Sequence, residues 1–482
     1  MKKQLIFLST ILSIASPLAA NATQNNAKTT NLAELLIEQS AVAYGGKDTL
    51  NSLEKIYIDY ETTIVGRGQS RATTPPWDTI IADQKEAIDF SQMMVITEYT
   101  GQGGGSKASF RTEIEGLSAH RLDLYRKTIA PISTSNFEST AGQIIRTNGT
   151  LLLKQALKYK NSSEYLGEQQ YKDRTHHLIK IEPDSEPPIT LYIDRDTKQI
   201  TKSERSIGNS RIEYFFEKYR TQNGILLPYV SSFSINGNLS RQMKVESYTI
   251  NKSIRDLFLA PTNFTKIPGN EITSPTTTKI DKGVYWVTQN MGGGLYGQSS
   301  LFIELKDYVL MVGALSGAKQ RIEHIKQTIG EKPIKYAVIS HHHEDHIGGV
   351  QEILDAGISL IVAEAHQAAI TESLSDKTKA HFYTINSEET YSDESMQVDI
   401  INVGPTPHAE DYLLVHLPKL GILFAADHFE PFSNGPLPPQ NENSVFLAKI
   451  IQEKNLNITR IIPSHSTRIG TYEDLITMNK TL

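Results

Sequence analysis

His341-His342-His343-Glu344-Asp345-His346 reads H-x-H-x-D-H and places four potential metal ligands within six residues. Imidazole and carboxylate groups hold zinc and other divalent metals well. A catalytic site needs several of them converging with one coordination position left open. His341 and His343 are two apart, so an extended backbone points both to one side. Asp345 and His346 follow as the chain turns and can face a second metal. Gly348 and Gly349 let the following segment pass close to this loop without side-chain obstruction. A His-rich tract can also lie loosely on a surface, but the flanking sequence argues against that here.

The elements that must position these donors are legible on both sides. Lys335-Tyr336-Ala337-Val338-Ile339-Ser340 reads as a buried strand, and Ile347 through Leu354 as a helix opening. The cluster therefore falls in a strand-to-helix connection, where α/β proteins commonly build their sites.

This segment resembles the signature loop of the metallo-β-lactamase fold, a superfamily of mostly dinuclear zinc hydrolases. The resemblance calls for three further ligands downstream, in order. His408, in the loop after Asn402-Val403-Gly404, matches the third histidine of the first metal site. Asp427 ends the apolar strand Gly421 to Ala426, where the family places its metal-bridging carboxylate. His465 ends the strand Arg460-Ile461-Ile462-Pro463-Ser464 and matches the last ligand of the second site. The resemblance thus implies one metal on His341, His343 and His408, another on Asp345, His346 and His465, and Asp427 between them. Alone, His408 or His465 would be an ordinary loop histidine and Asp427 a strand-end carboxylate or helix cap. Only their conjunction with the first motif makes them ligands. His342, His366, His381, His416 and His428 fall on filler positions and read as supporting or surface residues.

Three positions depart from the family pattern. The strand Tyr308 to Gly313 ends in glycine where the family usually has an acidic residue behind the metals, which implies a looser ligand loop. Ser466 stands where glycine often follows the last histidine. Glu344 adds a negative charge at a filler position that is commonly apolar or small.

The chain has no cysteine, so a disulfide framework and a lipid-modified Cys anchor are excluded. Any metal site must be all imidazole and carboxylate, which suits zinc and also iron or manganese. The net charge of −6 gives no basic footprint for nucleic acid. Lys2 and Lys3, the mostly apolar stretch Leu5 to Leu18, and Ala20-Asn21-Ala22 read as a cleaved export signal over residues 1–22. The apolar run is too short for a bilayer span. A periplasmic or secreted protein without a transmembrane anchor is expected.

A chain of 482 residues exceeds one typical domain. The polar, Pro/Thr-rich stretch 268–278 reads as a linker. Beyond it, at 279–482, strands and helices alternate, as in a layered α/β domain. The resemblance implies an αββα sandwich there. Residues 23–267 open with a helix, Asn31 to Tyr44, stopped at Gly45-Gly46. Short alternating runs follow, such as Lys55–Tyr60, Thr190–Asp194, Arg211–Phe216 and Gln242–Tyr248, so this part is expected to be mainly antiparallel sheet. Gly101 to Gly105 is expected to be a mobile loop. The helix end Tyr44-Gly45-Gly46, the run Leu191-Tyr192-Ile193-Asp194 and the segment Tyr219 to Pro228 resemble periplasmic lipoprotein-carrier-like half-barrels. The fold class expected overall is α+β.

The function implied is an exported dinuclear hydrolase with two Zn2+. A metal-bridging hydroxide, oriented by Asp345 and Asp427, would open a lactam or lactone or cleave an ester or thioester. The substrate would be a small or amphiphilic molecule. Leu295-Tyr296, after Gly292-Gly293-Gly294, and the segment Phe429 to Pro439 read as its rim. The alternative is a lipid or envelope-component binding protein whose hydrolase-like domain is structural, and its hallmark would be a ligand set with gaps. Sequence leaves the oligomeric state open.

Overall fold

The computed structural model describes residues 32–132, 135–184, 186–269, 271–291, 297–433 and 435–479. The expected export signal and the segment Gly292 to Tyr296 lie outside the described residues. Helices and strands are mixed, and the chain forms two compact units that interleave along it. One comprises described residues up to Leu53 and Gln143–Asn238. The other comprises Glu54–Gly142 and Leu239 onward.

In the first unit a helix over 32–43 ends at Gly45 and Gly46, with φ of +107° and +98°. A Cβ at Gly45 would lie 2.0 Å from the Gly224 carbonyl oxygen, so the expected helix stop is also a point of close approach. Leu36, Ile37 and Ala41 bury one face of the helix. The strands Glu164–Tyr171, Arg174–Ile181, Ile189–Asp194, Ile200–Ile207, Ser210–Glu217 and Val230–Ile235 follow as neighbours in that spatial order, with antiparallel pairing. Helix Gly149–Lys158 is capped by the Asn148 side chain and buries Leu151, Leu152 and Leu153.

The second unit opens with an antiparallel sheet. Asn238–Ile250 pairs with Lys55–Val65, and the sheet then steps outward through Thr79–Asp89, Met94–Gly103, Ser106–Glu115, Ser118–Asp123 and Thr128–Pro131. Here the glycine run 101–105 departs from the expected mobile loop. Gly101–Gly103 lie in a strand, Gly103 pairs with Ser106, and Gly104 and Gly105 form a two-residue hairpin turn with φ of +56° and +73°. Such a turn needs positive φ at both positions. Crowding, not freedom, asks for glycine at 101, where a Cβ would lie 2.7 Å from both the Tyr99 hydroxyl and the Ala82 Cβ.

The C-terminal part of this unit is layered. One sheet runs Thr276–Asp281, Val284–Gln289, Gln298–Glu304, Val309–Val312, Ile334–Val338, Ser359–Ala363, Phe382–Ile385. The other runs Glu388–Ser392, Gln397–Asn402, Leu413–Leu417, Ile422–Ala426, Arg460–Pro463, Gly470–Thr471. Between the sheets one apolar core joins Leu301, Val312 and Val338 to Val398, Leu414 and Phe424. Helices Glu442–Glu453 and Tyr472–Asn479 add Leu447, Ile451, Leu475 and Met478 to it. A second core covers the other face of the first sheet with helices Ala318–Ile329 and Val350–Asp355. Helix, sheet, sheet and helix thus stack as expected. Thr276 to Thr278, read as linker, are already part of an edge strand.

Candidate metal centre

All seven sequence-predicted donors converge at one edge of this sandwich. His341 and His343 follow strand Ile334–Val338. A short helix begins at Glu344, earlier than the expected start at Ile347, so Asp345 and His346 sit in its first turn. A carboxylate is favoured there by the amide dipoles. Gly348 and Gly349 do allow the close approach read from the sequence: Cβ atoms there would lie 2.5 Å from the Ser316 Oγ and the Leu315 carbonyl. His408 lies in the loop between Gln397–Asn402 and Leu413–Leu417. Asp427 follows Ile422–Ala426, and His465 follows Arg460–Pro463.

The donors form two groups that could each hold a metal ion: His341, His343 and His408, and Asp345, His346, Asp427 and His465. Within each group the ligand atoms lie within 4.8 Å of one another. Asp427 also faces the first group, with its Oδ2 3.2 Å from His408 Nε2 and 3.9 Å from His341 Nε2.

The outer nitrogens show which lone pairs point inward. His343 Nε2 lies 3.1 Å from the Ser70 carbonyl, and His408 Nδ1 lies 2.7 Å from the Gly104 carbonyl. A carbonyl can only accept, so each of these nitrogens carries the proton. In the neutral ring that leaves His343 Nδ1 and His408 Nε2 as bare donors toward the cluster. Ser340 Oγ sits 3.1 Å from His341 Nδ1 and 3.5 Å from His346 Nδ1, which leaves both Nε2 atoms facing inward. Such outer partners fix ring orientation at metal sites.

The arrangement fits metal ions. His341 Nε2 and His408 Nε2 are 3.1 Å apart, and His346 Nε2 and His465 Nε2 are 3.2 Å apart. Two nitrogens on one tetrahedral zinc, at about 2.0–2.1 Å each, stand roughly 3.3 Å from one another. His343 Nδ1 is fully buried without a hydrogen bond among the described residues. Buried polar atoms are rarely left so without an unseen partner such as an ion.

Electrostatics separates the groups. Burial, then the neighbouring histidines, push His341 and His343 well below the ordinary imidazole range. Burial also opposes charge on His465. The charges of Asp427 and Glu430 and the hydrogen bond to Asp345 outweigh it and push His465 up to about 10. His408 is raised against burial by Asp427. Asp345 is held low despite its burial, by the charge of His346 and the hydrogen bond from His465.

Sequence reasoning missed the supporting groups. Ser70 and Gly104 come from loops of the antiparallel sheet, as does Gln69, whose Nε2 donates to Asp345 Oδ1 at 2.9 Å. Asn443 Nδ2 donates to the same Gly104 carbonyl at 2.8 Å. Tyr412 stacks on His341 with 4.9 Å between ring centres, and its hydroxyl accepts from the Asp427 amide at 2.9 Å. The only available signals were the turn glycines, which occur in many hairpins.

The three departures acquire roles. Gly313 has φ +91°, and a Cβ would lie 3.1 Å from the Ser299 carbonyl, so a side chain there would strain the backbone and press on that carbonyl. The loop behind the site is tied instead by buried Arg321, which donates to the Leu315 and Ser316 carbonyls. Ser466 donates to the Pro431 carbonyl at 2.6 Å and accepts from the Arg468 amide. Glu344 lies against Gly68, where a Cβ would come within 2.0 Å of it. Of the filler histidines, His381 is exposed, whereas His342, His366, His416 and His428 are buried. Burial pushes His366 and His428 down to about 3, so they are neutral packing residues at physiological pH.

Solved structures similar to this chain include a metallo-beta-lactamase from Pontibacter korlensis, with 19% identity over 42% of this chain and 97% of that one, at a TM-score of 0.36. Another is the metallo-beta-lactamase FIM-1 from Pseudomonas aeruginosa in its mono-zinc form, with 23% identity over 43% and 93% and a TM-score of 0.35. A third is a metallo beta lactamase from Hirschia baltica, with 22% identity over 43% and 96% and a TM-score of 0.34. The family model for the Metallo-beta-lactamase superfamily matches residues 293–465, an interval that holds all seven donors. Residues 293–465 thus match the family model of the Metallo-beta-lactamase superfamily, and the histidine and aspartate clusters that could bind metal lie within them.

Proposed function

We propose that this protein is an exported dinuclear zinc hydrolase that cleaves an ester or thioester or opens a lactone or lactam. The observation that carries the reading is the convergence of seven donors whose bare ring nitrogens and carboxylates face two common centres. When bound, such metals supply Lewis acidity and a water ionised near neutral pH. The chain's own residues do the rest. Asp427 reaches both groups and holds them in one frame. Asp345, with about a third of its side chain exposed, is the carboxylate that solvent and substrate can approach, so it would orient the attacking water. Gln69 fixes that carboxylate from one side and His465 Nε2, at 3.0 Å, from the other. Export rests on the residues of the 1–22 segment, and no described helix is long and apolar enough to cross a membrane.

The test is elemental analysis of the purified protein beside an Asp427→Ala/His465→Ala variant, with para-nitrophenyl acetate hydrolysis measured on both. About two zinc ions per chain and ester turnover, both falling sharply in the variant, are expected. A folded protein that binds no metal would end the hydrolase reading and turn attention to carrier function.

A further inference from the structure

Beside Asp427 and Glu430 a pocket of about 280 Å³ opens toward the antiparallel sheet of the same unit. It shares Ile80, Tyr99, Arg126 and Phe432 with a larger cavity of about 680 Å³ over the strands from Thr79 to Pro131. A molecule with one end at the candidate metal centre can therefore continue into this cavity. Its volume is within the range of pockets that enclose ligands of moderate size.

The walls are of two kinds. Ile64, Ile80, Ile132 and Ile267 are aliphatic, and Tyr99 and Phe110 stack with ring centres 5.1 Å apart. Over these surfaces lie cations. The Arg121 guanidinium sits 3.8 Å above the Phe110 ring and that of Arg126 3.9 Å above Phe432. Lys107 and Arg241 also line the cavity. Its two carboxylates are engaged: Glu98 by Arg111 at 2.6 Å and Asp123 by Arg126 at 3.2 Å. A protein of net charge −6 thus lines this cavity with four cations against two carboxylates, one of which is held by Arg126. Planar guanidinium groups flat on aromatic rings present their donors edgewise to an anion while the rings contact an apolar body.

We infer that the substrate is an anionic amphiphile. Its scissile acyl group lies at the Asp427 end, its apolar body lies along Tyr99, Phe110 and Phe432, and its anionic terminus meets Arg121 and its neighbours. The inference rests on the hydrolase reading and names its substrate class.

Three para-nitrophenyl esters test it on the zinc-loaded full chain: the acetate, the decanoate, and the mono-ester of decanedioic acid, which ends in a free carboxylate. One charge-assisted pair corresponds to a gain of about tenfold or more in kcat/KM for the dioate over the decanoate. Arg121→Gln should cut that preference to about threefold or less and leave acetate hydrolysis unchanged. Ala130→Trp, at a half-buried position that lines the larger cavity and not the pocket beside Asp427, should slow both long esters and spare the acetate. Acetate turnover without any preference for the dioate, or a preference that neither variant alters, overturns the inference and leaves the hydrolase reading standing. If no ester is cleaved, the hydrolase reading falls and binding decides. Dansylaminoundecanoate fluorescence should then show affinity weakened about fivefold or more in both variants, and equal affinity in all three proteins overturns the inference.

Discussion

The two donor groups are only a few ångströms apart, yet they are organised by different forces. His341, His343 and His408 are almost wholly enclosed, and two of their outer nitrogens donate to backbone carbonyls at Ser70 and Gly104. Asp345, His346, Asp427 and His465 hold one another instead. Their contacts are carboxylate to imidazole, such as Asp345 to His465 at 3.0 Å and Asp427 to His346 at 2.9 Å. The first group is set by the fold, with rings oriented whether or not a metal is present. The second is set by mutual neutralisation of charge and is the more open to solvent. One site thus joins a rigid, enclosed half to a polar half that is the more open to solvent.

Asp427 is the residue that belongs to both halves, so removing it should have the largest effect. Asp427→Ala is expected to lower ester hydrolysis on the order of 10³-fold, equivalent to several kcal/mol of lost transition-state stabilisation. Metal content should fall in the second group more than in the first, because His341, His343 and His408 keep their outer partners. Equal loss from both, read by metal titration, would break the distinction between a fold-set and a charge-set half.

Glu430 sharpens the charge-set side. Its Oε1 is enclosed without a hydrogen bond among the described residues, and burial together with the Asp427 charge pushes it from 4.5 up to about 7. The fold therefore favours the protonated form. That contribution to stability is complete below about pH 4.5 and is lost as pH rises through about 7. Metal-stripped protein should lose on the order of 2 kcal/mol across this window, a figure reduced because the side chain as a whole is only partly enclosed. Glu430→Gln should flatten that slope in denaturant titrations at several pH values, and an unchanged slope would remove Glu430 from the account.

The same division explains what was legible in the sequence. The seven donors could be read because four of them fall within six residues after one strand and three more follow later strands in order, and the strand-and-helix alternation beyond the linker follows directly from apolar periodicity. The groups that orient the donors could not be read. Ser70 and Gly104 act through main-chain carbonyls, which every residue has, and they lie more than 270 positions from their partners and more than 300. The glycine run 101–105 looked like a flexible loop because composition does not distinguish a glycine needed for crowding from one that confers freedom. Nor does periodicity show that strands 55–131 share a compact unit with residues beyond 239.

Gly104 tests the rigid half directly. An Ala there must hold φ of +56° and place a Cβ 3.2 Å from His408 Nδ1, so the turn will shift and its carbonyl with it. Gly104→Ala should weaken metal binding at the first group about tenfold, the usual scale for disturbing an outer partner, and leave the second group near its native affinity. Competition with a chromogenic chelator resolves the two steps. Weakening of the second step alone would mean that the hairpin supports the site by some route other than His408.

Ser340, which belongs to neither group, touches one histidine of each, 3.1 Å from His341 Nδ1 and 3.5 Å from His346 Nδ1. Its backbone carbonyl accepts from the Leu413 amide, so the strand end stays in place when the hydroxyl is removed. Ser340→Ala should therefore cost little stability. It should loosen both rings, weakening each metal step about threefold to fivefold, the equivalent of roughly one neutral hydrogen bond shared between two weak contacts. The distances make the first group the more affected. A loss confined to the second group would invert that order and show that the hydroxyl donates to His346, across the longer gap, in preference to His341.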